Sequence, residues 1–448
     1  MVRLEKHKHQ TENKAIQELP IPSRVYIPLS QHIGRICAPL VKVGDSVALG
    51  QKIAAADSHV YAPIHASVSG KVVAIDDCPH PVLGSCKAII IDSDKSLART
   101  QNLPVPSAVE GEPETQEEIE DLSAEQIRSI VLEAGIVGMG GASFPAHIKL
   151  NPPKPVDALV INGAECEPYL TSDYRLMIER AKEILSGVEL VVKCLGVKKV
   201  IIAIEDNKPE AIKVFQSVID FRSSILEQES SIKNPVSVIL RVLKSFYPQG
   251  GEKQLIKNTL RREVPSGKLP FDVGVVVHNV ATLYAIYEAA YLEKPLYERV
   301  VTVTGDCLEN PGNFLVRIGT PFKDLIAQCG PMKQEPEKVI SGGPMMGIAQ
   351  YSLDVPVIKS TNGIVCLKRA ELKPSVEALC VRCGRCVEYC PVGLLPCMIG
   401  MASEKEKWDL AKAYGCLDCM ECGLCNYICP QKKDLLQSIK KAKLRNDP

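Results

Sequence analysis

Aromatic residues make up only 5% of this 448-residue chain, and neither sign of charge is in excess, since Lys+Arg and Asp+Glu each total 53. The balance leaves no basic excess of the kind that nucleic acid or an anionic lipid face would call for, and points to proteins and small cofactors as partners. Long apolar runs are also missing. The most apolar stretch, Val273 to Leu292, is interrupted by His278, Asn279 and Glu288, so no membrane-spanning helix is predicted. The N-terminus, MVRLEKHKHQTENK, has charge without an apolar segment behind it, does not read as a secretory signal, and predicts a cytoplasmic protein. With 46% hydrophobic and 24% charged residues the composition is that of a soluble folded chain, too long for one core, so three or four domains are expected.

Cysteine is the residue in excess. Eighteen of them without a secretory signal argue against a disulfide framework and for metal binding. Eight fall into two identical patterns, Cys-x-x-Cys-x-x-Cys-x-x-x-Cys-Pro. The first is Cys380, Cys383, Cys386 and Cys390 before Pro391; the second is Cys419, Cys422, Cys425 and Cys429 before Pro430. Three thiolates spaced by two residues can wrap one [4Fe–4S] cubane, while the fourth, held off by the proline, reaches the other cluster. This assigns Cys380, Cys383, Cys386 and Cys429 to one cluster and Cys419, Cys422, Cys425 and Cys390 to a second. Zinc also takes four cysteines, but its sites use paired knuckles rather than triplets followed by Cys-Pro. Cys416 lies outside the register, and Cys397, Cys366 and the other scattered cysteines read as small buried hydrophobes.

The rest of the chain divides by pattern. Residues 25 to 95 alternate short β-rich runs with turns, including Ala38 to Ile53 and Tyr61 to Val72, and resemble a biotinyl/lipoyl-type barrel sandwich. The place of the modified lysine there is taken by Asp57-Ser58-His59, so the fold is expected without the carrier chemistry, either as a docking module or as a purely structural one. A first domain is thus drawn at 1–105. An acidic, Pro/Glu-rich linker follows at 106–122, leading into a helix capped near Ser123. Residues 123–295 alternate helical patterns with β-rich runs at Ala158–Ile161, Val200–Ile204 and Val273–Val277, which predicts a parallel α/β sheet. Residues 296–365 lose the helical pattern and carry turn signals, predicting a small β-rich domain. The cysteine-rich segment occupies 366–448. The fold class expected is multidomain, α/β plus β, with a helical two-cluster C-terminal domain.

The α/β segment opens with a glycine-rich stretch, Gly135-Ile-Val-Gly138-Met-Gly140-Gly141-Ala-Ser-Phe144-Pro145. Such glycines let backbone N–H groups approach a phosphate at a helix N-terminus, but they also occur in plain turns, and the stretch is neither G-x-G-x-x-G nor a Walker loop. Three polar groups interrupt apolar runs further along: Asn162 with Ala164, Glu165 and Glu167; Gln249-Gly-Gly251-Glu252-Lys253; and His278-Asn279 with Thr282. They read as binding loops at strand ends, or as caps and turns.

Together these segments resemble the RnfC family, the peripheral NADH-oxidising subunits of ion-translocating Rnf electron-transport complexes. The resemblance covers nearly the whole chain and rests on GMGGASFPAHIKL, INGAECEPYLTSDYRLM, YPQGGEKQLI, VVVHNVATLYAIYEA, SGGPMMG and the paired cysteine runs, in that order. Several of these pieces are also similar to the flavin- and NADH-binding subunit of respiratory complex I. The resemblance implies FMN against Gly138, Gly140 and Gly141, with Lys149, Asn162, Glu165, Asn279 and Thr282 around its phosphate, ribityl chain and ring. It implies NADH over the flavin, with Phe144 stacking and Glu167 and Lys268 as polar contacts; Gly251 and Glu252 complete the cofactor set. Residues 296–365 resemble the β-grasp, SLBB-like module that follows the flavin domain. Two departures stand out: Ala164 replaces an aspartate of the complex I subunit, and Glu252-Lys253 replaces two glutamates.

The resemblance further implies a hydride passing from NADH to FMN and single electrons passing through two clusters to an iron–sulfur partner. The other Rnf subunits, including integral membrane ones, are the implied partners, with the chain peripheral on the cytoplasmic face. Two alternatives stand beside it. One is a soluble flavin/iron–sulfur reductase similar to corrinoid reductases, which lack the N-terminal barrel sandwich. The other is a non-enzymatic two-cluster adaptor without flavin, favoured only by Ala164 and Lys253.

Overall fold

Four near-continuous apolar runs, Ala158–Gly163, Lys199–Glu205, Ser237–Leu243 and Val275–Asn279, form a wholly parallel sheet. The computed structural model describes residues 2–94, 119, 121–228, 236–369 and 379–446. The acidic linker expected at 106–122 lies, except for Ile119, Asp121 and Leu122, outside the described residues. Ala158–Gly163, Lys199–Glu205 and Val275–Asn279 read as unbroken apolar runs because both faces are covered, whereas the edge strand Ser237–Leu243 is largely exposed. On one face Val160, Ile201, Val275 and Val277 pack on Leu255 and Ile256 of helix Glu252–Leu260. On the other, Leu159, Ile161, Val200, Ile202 and Val276 pack under helices Ala181–Leu195 and Val280–Tyr291. The helix expected after the linker starts at Ser123, whose side chain and that of Gln126 each bond the other's backbone N–H.

The strand order decides where a ligand can sit. Ala158–Gly163 lies between Lys199–Glu205, which follows it in the chain, and Val275–Asn279, which returns to its other side much later. The chain therefore reverses direction of travel at this pair. In open parallel sheets the crevice beyond the carboxyl ends at such a point is where ligands bind. Asn162 and Asn279 are register partners at those ends.

Strands Arg24–Pro28, Ser46–Val47, Gly70–His80 and Gly84–Ser93 form one sheet of the barrel sandwich, and Ala38–Pro39, Lys52–Ala55 and Ile64–His65 the other. Val25, Ile27, Ile53, Ile64, Ile89 and Ile91 fill the space between them. Asp57-Ser58-His59 falls in the connection between Lys52–Ala55 and Ile64–His65. Residues 298–367 build most of a fourth, mixed sheet with Glu298–Thr304 near its centre. Its one helix longer than a turn, Phe322–Gln328, was not expected from the sequence; seven residues are too few to display a helical period.

Residues 2–18 do not stay with the barrel sandwich. Val2 bridges Tyr247, the Lys6 carbonyl accepts from Tyr169, Gln10 bonds Asp306, and Ile16–Glu18 joins Gly312–Arg317 as a parallel edge strand. This strap crosses the α/β segment and ends in the β-grasp sheet. A second tie is Lys359, fully buried, whose ammonium donates to the carbonyls of Pro63 and Gly135 at 2.6 Å each and so joins three segments at one point.

Candidate functional site

The glycine-rich stretch folds as a closed loop. Val137 and Pro145 form an isolated antiparallel bridge, and the Gly138 N–H donates to the Phe144 carbonyl at 2.8 Å. Gly140 and Gly141 stand exposed at its tip. A Cβ at Gly141 would meet nothing within 4 Å, whereas one at Gly140 would run into the Asn279 side chain at 2.7 to 3.0 Å. Glycine at 140 is thus what lets the loop close over Asn279.

Asn279 is also the cap of helix Val280–Tyr291: its Oδ1 accepts from the Ala281 N–H at 2.9 Å and its Nδ2 donates to Asp173 at 2.6 Å. The Thr282 hydroxyl accepts from the Met139 N–H at 2.9 Å, tying the loop to the first turn of that helix. The N-terminus of a twelve-residue helix therefore lies against an exposed, side-chain-free loop, the arrangement that suits a phosphate. The glycine loop and the asparagines fit the phosphate end of a flavin mononucleotide.

Across the crevice Asn162 donates to the Gly250 carbonyl at 2.9 Å and accepts from the Ala164 N–H at 3.2 Å. Ala164, one of the two departures from the complex I subunit, is fully buried, so the polar work at this strand end falls to Asn162. Lys149 donates to Glu252 at 2.7 Å and to the Val277 carbonyl at 3.1 Å, joining the loop's short helix to the strand end and to helix Glu252–Leu260. Gly140, Lys149, Asn162, Glu252, Asn279 and Thr282 are thus brought together by contacts at the carboxyl ends of strands Ala158–Gly163 and Val275–Asn279, with Gly138, Gly141 and Gly251 on the adjoining loops. The Phe144 backbone closes the loop, and its side chain is half-buried.

Three of the sequence-derived residues are placed differently. The Glu165 carboxylate accepts from the Asp173 and Tyr174 N–H groups, 2.8 and 3.3 Å, and lies 3.6 Å from Lys8 of the strap. Burial pushes it up to about 7 against the pull of Lys8. The Glu167 carboxylate is held by the N–H groups of Met345 and Met346 and by the Tyr247 hydroxyl; burial raises it to about 7 as well. Lys268 is exposed on a loop whose Ser266 and Gly267 bond Asp418 of the cysteine-rich segment. No hydrogen bond or ion pair among the described residues joins its ammonium to the crevice.

Several residues here were not legible in the sequence. Asp173 holds Asn279, and Arg299, fully buried, donates to the Met139 and Lys359 carbonyls; burial lowers its guanidinium to about 10 and Asp173 opposes that. Tyr247 is fully buried and donates to the Cys422 carbonyl at 2.8 Å. Only the pattern of polar residues in apolar runs could have flagged them, and Arg299 lies 160 residues from Met139.

The two cysteine runs repeat the same backbone. Arg382 and Glu421, each just before the second cysteine, adopt positive φ of 55° and 59°, and Gly384 and Gly423, just after it, both have φ 75°. Left-handed residues on both sides of the second cysteine fold each triplet into a cup, and glycine takes the position after it at no steric cost. Short helices Arg385–Glu388 and Leu424–Ile428 follow and pack on each other. Backbone N–H groups reach the sulfurs, Glu421 to Cys419 at 3.4 Å and Leu394 to Cys390 at 3.3 Å.

Cys390 of the first run lies within electrostatic reach of Cys419, Cys422 and Cys425, and burial together with these neighbours pushes all three thiols up. Cys386 interacts with Cys380 and Cys397 in the same way. Cys397, expected as buried filler, is partly exposed and its thiol bonds Cys386; it has come beside the first run because helix Pro396–Glu404 packs there. Cys416 is fully buried. Among the described residues no three His, Cys, Asp or Glu converge on a single-ion position. Three cysteines in each cup, with a fourth from a Cys-Pro end of the runs, are a donor set that fits an iron–sulfur cubane.

This arrangement agrees with comparisons with known proteins. Residues 2–96 match the RnfC barrel sandwich hybrid domain, 131–288 the Nuo51 FMN-binding domain, 300–349 the SLBB domain and 375–395 the 4Fe-4S binding domain. The corresponding subunit of the proton-translocating ferredoxin:NAD(+) oxidoreductase complex of Clostridium ljungdahlii is 46% identical over 98% of this chain and 92% of its own. The chain belongs to the RnfC family. Its counterpart in the Na(+)-translocating ferredoxin:NAD(+) oxidoreductase complex of Acetobacterium woodii is 45% identical over 94% of this chain and 90% of its own. The counterpart in the ion-translocating oxidoreductase complex of Rhodobacter capsulatus is 41% identical over 88% and 72%. A crystal structure of an NAD+-reducing [NiFe]-hydrogenase in the H2-reduced state shares the fold, with TM-score 0.52 and 18% identity over 73% of this chain and 62% of that one. FMN and [4Fe–4S] clusters are the cofactors of this RnfC member, and its domains follow the family's order.

Proposed function

We propose that this chain is the nicotinamide-nucleotide-handling subunit of a membrane-bound, ion-translocating oxidoreductase, exchanging electrons between NADH and an iron–sulfur acceptor. The observation that carries the reading is the crevice at Asn162 and Asn279, closed above by the glycine loop and linked through Tyr247 to Cys422 of the second cysteine run. FMN, when bound, supplies the conversion between a two-electron hydride and single electrons. The residues supply placement. Gly140, Gly141 and the N-terminus of helix Val280–Tyr291 take the phosphate; Asn162, Asn279 and Thr282 fix the strand ends and the loop; Lys149, paired with Glu252, lines the crevice with charge. No side-chain acid or base is required for a hydride step, and none is named. Phe144, Glu167 and Lys268 are proposed on the nucleotide side by resemblance, with Glu167 acting from the junction it also holds together.

The acceptor proposed is an iron–sulfur subunit of the same complex. In support, Leu379, Val381, Arg382, Cys383 and Arg385 form an exposed surface at the first run. No described helix is long and apolar enough to cross a membrane. Attachment therefore falls to partner subunits, and we place the chain on the cytoplasmic face. The barrel sandwich weighs against the soluble corrinoid-type reductase, and the FMN-binding domain against the flavin-free adaptor.

Anaerobically purified protein should carry about eight iron and eight sulfide per chain for two cubanes, bind FMN, and have that flavin reduced by NADH. Co-expressed with its neighbours it should sediment with membranes and be released by chaotropes; a chain that stays in the soluble fraction beside an intact complex would favour the corrinoid-type reductase.

A further inference from the structure

The two cysteine runs are equivalent in sequence but not in position, and the contacts between the α/β segment and the cysteine-rich segment are one-sided. The Tyr247 hydroxyl bonds the Cys422 carbonyl at 2.8 Å. A Cβ at Gly251 would overlap the Met420 side chain, so Met420 lies directly on the loop that borders the crevice. Cys166, three residues past Gly163 and bonded by the Gly250 N–H at 3.3 Å, shares one apolar cluster with Tyr247, Cys422 and Leu424, sealed by Val2, Leu4, Met345 and Met420. Gln254 reaches the segment at the Pro391 carbonyl, next to Cys390, which groups with Cys419, Cys422 and Cys425. By contrast Val381 to Arg385 of the first run are all exposed.

We propose a fixed order of relay, resting on the function proposed above: the cluster on Cys419, Cys422, Cys425 and Cys390 exchanges electrons with the flavin, and the cluster on Cys380, Cys383, Cys386 and Cys429 is the outer one, exchanging with the partner. The packed, buried junction around Tyr247 and Cys166 is the internal crossing, and the open first run is the port. Tyr247 is a positioning residue here: it fixes the Cys422 loop against the crevice. Strap residues Val2 and Leu4 have a role in the same terms, covering the crossing from solvent.

The order is tested with single-cluster variants of the full chain. Each is reduced with dithionite, freed of excess reductant, and mixed with NAD+, which takes up two electrons and one proton to become NADH; single electrons from the cluster refill the flavin. Freeze-quench electron paramagnetic resonance reads the cluster. In Cys383→Ser the remaining cluster should lose its signal as fast as the nearer cluster of the unmodified protein. In Cys422→Ser the remaining cluster should stay reduced at least ten times longer while the flavin still reoxidises. The reverse pattern, or equal decay in both variants, overturns the order. A flavin that NAD+ fails to reoxidise in the unmodified chain contradicts the proposed function instead. Tyr247→Phe keeps every ligand and supplies a second test by potentiometric titration. It should shift the midpoint of one cluster, the one that survives in Cys383→Ser, and leave the other alone; a shift in the other cluster, or in neither, overturns the assignment.

Discussion

Tyr247 and Cys422, 175 residues apart in the chain, are joined by a 2.8 Å hydrogen bond from the phenol to the cysteine carbonyl, inside a junction with no solvent access to the ring. The same hydroxyl lies 3.2 Å from Glu167, so one buried side chain contacts the loop after a crevice-forming strand and the cup of a cluster. Cofactor loops and cluster are thereby one packed unit.

Gly140→Val puts a branched side chain where Asn279 now approaches to within 3 Å. It should open the loop, displace the helix cap and abolish FMN binding while leaving iron and sulfide unchanged, as measured by flavin extraction and iron assay. Stoichiometric flavin in this variant would remove the loop from the site.

Cys429→Ser should destroy the cluster on the first run and spare the other, lowering iron from about eight to about four per chain if ligation is exchanged between the runs as in two-cluster ferredoxins. Spectra in which the surviving cluster is the one lost in Cys422→Ser support the exchange; survival of the other refutes it.

Glu167→Ala removes the acceptor of the part-buried Met345 N–H and the exposed Met346 N–H, and a contact of the Tyr247 hydroxyl, which keeps the Cys422 carbonyl. An unsatisfied buried donor costs about 1–3 kcal/mol, and with only the Met345 N–H left part-buried without its acceptor the melting temperature should fall modestly, with a rise in KM for NADH. Glu167→Gln, which keeps an acceptor oxygen, should recover most of the stability. An unchanged melting temperature in Glu167→Ala would deny the carboxylate its structural part.

The Glu165 carboxyl carries a pH signature. Its value in the folded chain is raised to about 7 by burial from an ordinary 4.5, so its protonated form is the one the fold prefers. The stability it contributes is complete below about 4.5 and is lost as pH rises through about 7. Lys8, Asp173 and Lys208 surround the same carboxyl. Glu165→Gln should therefore flatten the fall in stability of the flavin-free protein between these pH values, measured by denaturant titration; parallel curves for the two proteins would contradict the raised value.

The cysteine runs were fully legible because ligand spacing is local, and so were three strands of the parallel sheet, whose burial on both faces leaves unbroken apolar runs. The switch point was half legible: Asn162 and Asn279 stand out as polar residues ending apolar strands, but their pairing depends on strand order. What stayed hidden is long-range. Nothing near Tyr247 announces a contact with Cys422, nothing near Arg299 announces the Met139 carbonyl, and the strap of residues 2–18 reads as a charged tail although it ends as a strand of a distant sheet. Cys397 packs against an apolar core as a small hydrophobe does, and its approach to Cys386, made by helix packing rather than by spacing, is hidden for the same reason.

Whether this one chain carries electrons between NADH and its own clusters through a bound flavin is tested most directly by anaerobic stopped-flow mixing of the purified chain with NADH. The flavin's visible absorption should be lost within the dead time or shortly after, an effect abolished by Gly140→Val and retained in Cys422→Ser. Stoichiometrically bound flavin that stays oxidised in the presence of NADH would contradict it.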